Sequence, residues 1–321
     1  MKKNLFLYII TLILIPILVV SIIYKSVDKK YLKTNIINQE KKSNKVTKTT
    51  KKTEKKESII IKINKNNEIQ NIELEEYIIG VVAGEMPASF HEEALKAQAI
   101  ASRTFAMYKL SKNNKEYDLE TTVDDQVYIT ESEMKNKWGE EYEFYYKKIK
   151  KAVKETENLI MEKDNQIFKS YYFAMSNGQT ADSVSVFKEN TIDSVSSPWD
   201  NETLNKFIVT TEYNLEEIKT KLKLKNHIEN IEIISRDKTN RVEKILVNNK
   251  EYSGIDFRKL LELRSTDFNI EIKNNVCYIT TKGYGHGVGM SQYGANGMAN
   301  ENFTYDEILK YYYQDIEIVK I

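Results

Sequence analysis

Apolar side chains recur at Leu74, Tyr77, Ile78, Val81 and Val82, the i, i+3, i+4, i+7, i+8 stripe of an amphipathic helix. The stripe predicts a helix over 73–83, closed by Gly84 in a left-handed cap and barred from continuing by Pro87. A second helix is expected over 90–111, announced by Ser89 with Glu92 at capping-box spacing. Its Leu95, Ala99, Ser102 and Ala106 form a small, mostly apolar face beside Lys96 and Arg103. Residues 131–157 carry Trp138, Tyr142, Tyr145 and Ile149 at helical spacing, and Asp164–Asn165 turns a hairpin within 159–168. Further on, alternation predicts strands at 207–211, 228–236, 242–247, 269–272 and 276–280. Short helices are expected at 214–224, at 254–261, from Ser291, and from Thr304, which has Glu307 three residues on. Helices mixed with antiparallel strands, without regular βαβ alternation or an internal repeat, argue for an α+β fold in one bilobed ectodomain.

The N-terminus follows a different pattern. Residues 5–24 are uncharged and mostly apolar, about 30 Å as a helix, the thickness of one bilayer core. No small-x-small cleavage site follows, so residues 1–24 are expected to be a retained transmembrane anchor. Lysines flank the run on both sides and leave its orientation open. A single anchor ahead of a large soluble region argues for export of that region. Residues 25–57 read as a Lys-rich disordered tether, in which 25–56 hold twelve lysines against Asp28, Glu40 and Glu54. That stretch carries +9 and Lys2 and Lys3 add two more; the whole chain is +1, so residues 57–321 carry −10. An acidic domain is a poor nucleic-acid binder, and no nucleic-acid partner is expected. The lone Cys277 excludes an internal disulfide and reads as a small buried strand residue.

Candidate chemistry concentrates in two places. Glu85 lies where one helix stops and the next is about to start. The negative end of a helix dipole disfavours a second anion and raises a carboxyl pKa, which suits a general acid. A solvated loop glutamate is the alternative. The second place is residues 281–295, where Gly283, Gly285, Gly287 and Gly289 alternate around His286. Glycines so placed let backbone approach a ligand, but neither a Walker A motif nor a dinucleotide fingerprint is present. His286 could bind a ligand or be held by backbone carbonyls. The three histidines are isolated and no cysteine pair exists, so no metal and no cofactor are expected. Lys96 and Arg103 could hold substrate or simply balance charge.

Five stretches together resemble the family of stage II sporulation protein D and the amidase enhancers. They are Tyr77-Ile-Ile-Gly-Val-Val-Ala-Gly-Glu-Met-Pro, Ala94-Leu-Lys-Ala-Gln-Ala-Ile-Ala-Ser-Arg-Thr, Asp125-Gln-Val-Tyr, Phe257-Arg-Lys-Leu-Leu-Glu-Leu-Arg-Ser-Thr-Asp-Phe and Gly285-His-Gly-Val-Gly-Met-Ser-Gln-Tyr-Gly-Ala. The resemblance covers nearly all of residues 58–321. It implies a lytic transglycosylase cleaving peptidoglycan glycan strands during engulfment, with Glu85 as the catalytic acid and base. It implies substrate contacts at Lys96, Arg103, Gln126, Tyr128, Tyr172, Ser176, His286 and Tyr293. The chain departs from the family pattern at Ala174 and Asn177, which replace a serine and a glycine. Residues 121–125 lack the Cys and His that some relatives carry there. The resemblance further implies a sporulation amidase (stage II sporulation protein P) and a polytopic membrane protein (stage II sporulation protein M) as partners. It places the chain at the cell membrane with its ectodomain outside the cytoplasm. The alternative is a noncatalytic wall-binding activator of an amidase.

Overall fold

Two asparagines in the left-handed region, Asn66 and Asn67 (φ 55° and 65°), close the first hairpin, β1 (Ile60–Lys65) with β2 (Glu68–Glu73). Paired positive φ is what a two-residue hairpin turn requires, and asparagine tolerates it. The same device recurs at Asp164–Asn165 between β4 (Leu159–Lys163) and β5 (Gln166–Ile167), as the sequence predicts. It recurs again at Asn274–Asn275 between β11 (Phe268–Lys273) and β12 (Val276–Lys282). These details come from a computed structural model that describes residues 58–112, 116–202 and 204–321. The expected anchor and tether lie outside the described residues. Among the described residues no helix is long and apolar enough to cross a membrane.

The fold is mixed α+β, with small and mostly antiparallel sheets. In strand order these are β2-β1-β3, β14-β4-β5, β11-β12-β7, β10-β9-β8 and β13-β6. The remaining strands are β3 (Leu119–Glu120), β6 (Tyr172–Phe173), β7 (Ile208–Asn214), β8 (Ile231–Arg236), β9 (Val242–Val247), β10 (Lys250–Ser253), β13 (Met290–Ser291) and β14 (Ile316–Lys320). Two pairs run parallel, β1 with β3 and β6 with β13.

Helix α2 (Glu92–Lys112) is the axis of the helical part. From Ala94 to Ala106 every residue except Lys96 is buried. A helix buried on all sides is central rather than peripheral. It contacts α1 (Leu74–Glu85), α4 (Tyr142–Glu155), α8 (Gln292–Asn300), α9 (Tyr305–Tyr313) and β4. Its polar groups have partners, as buried polar groups must. Thr104 Oγ1, for example, accepts from the Met161 N–H and so ties β4 to the helix. A second core forms around β7–β12, with Ile218, Ile245, Val247, Phe257, Leu261, Phe268, Cys277 and Ile279 packed together. Cys277 is there a small buried strand residue, its thiol pushed up to about 11 by burial.

Three boundaries differ from the sequence expectation. Helix α1 continues through Gly84 to end at Glu85, and the cap residue is Met86 in an extended conformation. Gly84 is therefore helical, and its reason for being glycine lies elsewhere. The Ser89 capping box does not form; α2 starts later, and His91 Nδ1 accepts from the Glu93 N–H in its place. Residues 131–157 form two helices, α3 (Glu131–Trp138) and α4, because Gly139 takes φ 52° between them. The Thr304 capping box with Glu307 forms as expected, and Ser291 caps α8 through the Gly294 N–H.

Candidate active site

Glycine on α1 brings a distant backbone segment against the carboxylate. Gly80 and Gly84 lie one helical turn apart, and residues 126–130 run along the groove they leave. A methyl at Gly84 would stand 2.4 Å from the Val127 carbonyl oxygen, and one at Gly80 would stand 2.2 Å from the Tyr128 ring. The Ile129 N–H donates to the Gly80 carbonyl at 3.2 Å. The Val127 N–H is thereby aimed at Glu85 and donates to Oε1 at 2.7 Å. Alanine in a helix is ordinarily about 1 kcal/mol better than glycine. Gly84→Ala should nevertheless destabilise the protein by about 1–2 kcal/mol in urea unfolding, because the methyl overpacks this contact. A gain in stability would refute the close approach.

Burial raises the Glu85 carboxyl from its ordinary 4.5 to about 7. The Val127 N–H, a hydrogen bond from Gln292 and the charge of Lys137 all oppose that rise without cancelling it. Lys137, on α3, donates to the Ala83 carbonyl at 2.9 Å and so caps the end of α1. Burial lowers its pKa, against the pull of Glu85. The sequence expects a raised Glu85 carboxyl through the helix dipole; in the fold burial is the largest cause of the rise. At neutral pH Glu85 can therefore give or take a proton.

Glu85 lines a cleft of about 580 Å³. Tyr172, Lys169, Phe187, Arg258, Tyr284 and His286 also line it. Tyr172 feels the charge of Glu85, and burial holds its hydroxyl far above the usual phenol range. Gln126 fixes that hydroxyl. Fully buried, it donates from Nε2 to Tyr172 Oη at 2.9 Å and to the Ser102 carbonyl at 3.2 Å, and its Oε1 accepts from Tyr77. Both of its N–H directions and its carbonyl oxygen are engaged inside the protein, so Gln126 positions Tyr172.

The glycine loop packs on the protein's own chain rather than on a ligand. Gly289 (φ 78°) lies where a methyl would be 1.9 Å from the Tyr171 carbonyl, and Gly285 (φ 115°) lies against the Phe173 side chain. The strap pairs with residues 175–181 through Met175–Tyr284 and Ala181–Val288 bridges. It thus delivers Tyr284 and His286 to the cleft. His286 Nδ1 accepts from the Val288 N–H at 3.1 Å, and a hydrogen bond to the Tyr172 backbone holds the ring. Burial, with Arg258, Arg241 and Lys169 adding to it, lowers its pKa to about 3, so the ring is neutral.

Several residues implied by the resemblance stand away from the cleft. Arg103 is fully buried; its guanidinium grips both oxygens of Glu75 at 2.8 and 2.6 Å and donates to the Leu159 carbonyl at 2.9 Å. Lys96 lies between Glu93 (2.9 Å) and Glu155 (2.7 Å), which hold its pKa high. Ser176 donates to the buried Asp200, which also accepts from Ser197 and Ser291. Tyr128 stacks on Tyr77, and Tyr293 meets Phe90 edge-on. Ala174 lines the cleft, whereas Asn177 bonds Asp267 and the Thr239 carbonyl. Gln292, Val127, Lys137 and Arg258 were not singled out as site residues in the sequence. For Val127 the functional atom is a backbone N–H, which no side-chain pattern could mark.

The comparisons with known proteins agree with this frame. A model of the stage II sporulation protein family matches residues 62–162, which span β1 to β4 and include Glu85. Stage II sporulation protein D of Bacillus subtilis is 41% identical over 270 residues, 81% of this chain and 78% of that protein. The chain belongs to the stage II sporulation protein D family. The Bacillus amyloliquefaciens protein of the same name is 38% identical over the same share of both chains. An amidase enhancer of Bacillus subtilis matches over only 50 residues, at 46% identity. Stage II sporulation protein D relatives thus match the chain over far more of its length than the amidase enhancer does.

Proposed function

We propose that the chain is a peptidoglycan lytic transglycosylase of sporulation, with Glu85 as its single acid and base. The observation that carries this is one carboxyl, raised to about 7, on the wall of a cleft large enough for sugars. Ordinary glycosidases need a second carboxylate to activate water or to act as nucleophile. A lytic transglycosylase does not, since the sugar supplies its own nucleophile.

In the first step protonated Glu85 donates its proton to the oxygen bridging N-acetylmuramic acid and N-acetylglucosamine. The C1–O bond breaks and the N-acetylglucosamine end leaves as an alcohol. The Glu85 carboxylate then takes the proton of the muramyl C6 hydroxyl. Its oxygen bonds to C1, closing a 1,6-anhydro ring and restoring the acid. No water is consumed. The Val127 N–H donates to Oε1, and Gln292 also donates to this carboxyl, so its orientation in the cleft is held. Tyr172, locked by Gln126, lines the same cleft.

The proposal extends to setting. In this reading the chain works at the engulfing membranes, anchored through its N-terminus, on strands from which a sporulation amidase has removed the stem peptides. Stage II sporulation proteins P and M are the partners the family implies. A noncatalytic activator is the second reading, favoured by the short match to the amidase enhancer. Full-length protein in detergent, given peptide-free glycan strands and no amidase, should release soluble anhydro-muramyl fragments. Stimulation of an added amidase with no strand cleavage of its own would establish the activator instead.

A further inference from the structure

One cation in the cleft has no carboxylate to balance it among the described residues. Arg258 stands on α7 (Gly254–Leu261), one residue past Phe257, which is buried against Phe268. The helix ends at Glu262 in the left-handed conformation (φ 58°), and the chain folds back so that Arg258 Nε donates to the Leu263 carbonyl at 3.2 Å. Its stem is held, and its guanidinium is half-buried on the cleft wall. Arg103, Arg236 and Arg241 each face a carboxylate: Glu75, Asp267, and Asp237 with Asp267. The Tyr284 hydroxyl stands near Arg258, and no carboxylate among the described residues acts on it. A half-buried cation without a counter-ion is held at a cost, which an anionic ligand would offset.

The neighbours sharpen the chemistry. Tyr284 lines the same wall, is 47% exposed, and has the Arg264 guanidinium against its ring at 4.2 Å. Its orientation is therefore set, and aromatic faces of this kind suit sugar rings. Lys169 also lines the cleft, 3.9 Å from Glu189. The Glu85 side of the cleft carries Asp124 and Asp125, of which Asp125 is paired with Lys109. An anionic group is thus favoured at the Arg258 wall and disfavoured near Glu85.

We infer that Arg258 receives the free lactyl carboxylate of a muramyl residue while Tyr284 lies against the sugar ring. A stem peptide converts that carboxylate into a neutral amide. Arg258 is then the group that distinguishes a stripped strand from one still bearing its peptides. The guanidinium fork matches a carboxylate in two-point geometry, which neither an amide nor an N-acetylglucosamine offers. The inference rests on the glycan-strand reading above but not on bond cleavage.

The test uses the full-length Glu85→Gln protein in detergent and equilibrium binding of three soluble probes. These are a GlcNAc–MurNAc tetrasaccharide with free lactyl groups, the same sugar with those groups as primary amides, and chitotetraose. The free acid should bind more tightly than the amide by on the order of tenfold, as charge-assisted bonds imply, with the gap closing as salt rises. Adding Arg258→Gln should bring the acid to the level of the amide and leave the other two probes unchanged. Arg258→Lys should keep part of the preference. Equal affinity for acid and amide, equal weakening of all three probes by Arg258→Gln, or binding of none would overturn the inference. If the wild-type chain makes anhydro ends without an acid preference, only this inference fails. If the preference holds and no anhydro ends form, the transglycosylase reading fails instead.

Discussion

Glu85→Gln will lower the release of anhydro-ended fragments by about a thousandfold or more, since a positioned acid and base contributes roughly 10²–10⁴ and, of the carboxyls lining the cleft, Glu85 is the one raised to about 7. The same change should make the protein more stable at alkaline pH. The folded-state carboxyl sits at about 7 against an ordinary 4.5, so folded protein keeps a proton that unfolded chain releases. Stability therefore falls as pH rises from 4.5 to about 7, and the loss is complete above that. Glutamine does not titrate. At pH 8 the variant should exceed wild type by about 3 kcal/mol, and near pH 4 the two should melt together. Activity of the wild type should run the same way. Protonated Glu85 starts the reaction, so kcat/KM should be level below pH 7 and fall about tenfold per unit above it. A variant with wild-type turnover, or with no alkaline stabilisation, would show that the buried carboxyl is not what drives the site.

Arg103→Ala should produce the largest loss of stability. The guanidinium joins Glu75 of α1 to the Leu159 carbonyl of β4 across α2, and it is fully buried. Removing it leaves a carboxylate and a carbonyl without their donors. Breaking a buried pair in this way costs about 3–5 kcal/mol. For a domain of this size that lowers Tm by about 10 °C. Arg103→Lys keeps the charge but cannot make the two-point contact, and should recover only part of the loss. At a temperature where the variant stays folded, its turnover per folded molecule should match wild type. Full stability with lost turnover would instead give Arg103 the substrate role that the resemblance implies.

The two predictions show what the sequence could and could not reveal. Local signals were reliable where short-range chemistry decides. The Asp164–Asn165 turn, the Thr304–Glu307 capping box and the strand Val242–Val247 all stand as the pattern predicts. Periodicity failed where tertiary contact overrides propensity. Gly84 looks like a helix stop, yet it stays helical because the Val127 carbonyl needs its space. The last strand, β14, was missed because its alternating Ile316–Lys320 is short and gains its meaning only beside β4.

The site divides the same way. Glu85 was legible as a lone carboxylate at a helix junction. Its partners were not, since Val127 lies 42 residues further on and Gln292 belongs to the far end of the chain. The glycines around His286 suggested a ligand loop; in the fold they let the strap approach Tyr171, Phe173, Ser176 and Arg241 closely and deliver Tyr284 and His286. Lys96 and Arg103 illustrate the limit of residue-by-residue transfer. Charge at the right spacing on a helix does not say whether the partner is a ligand or a neighbouring glutamate.

The central claim is that the muramyl C6 hydroxyl, and not water, attacks C1. It is tested most directly by digesting peptide-free glycan strands with the full-length protein in ¹⁸O-water and weighing the new ends by mass spectrometry. Intramolecular attack yields 1,6-anhydro-muramyl ends that contain no ¹⁸O. Reducing muramyl ends carrying ¹⁸O would mean that Glu85 activates water and that the chain is a hydrolase.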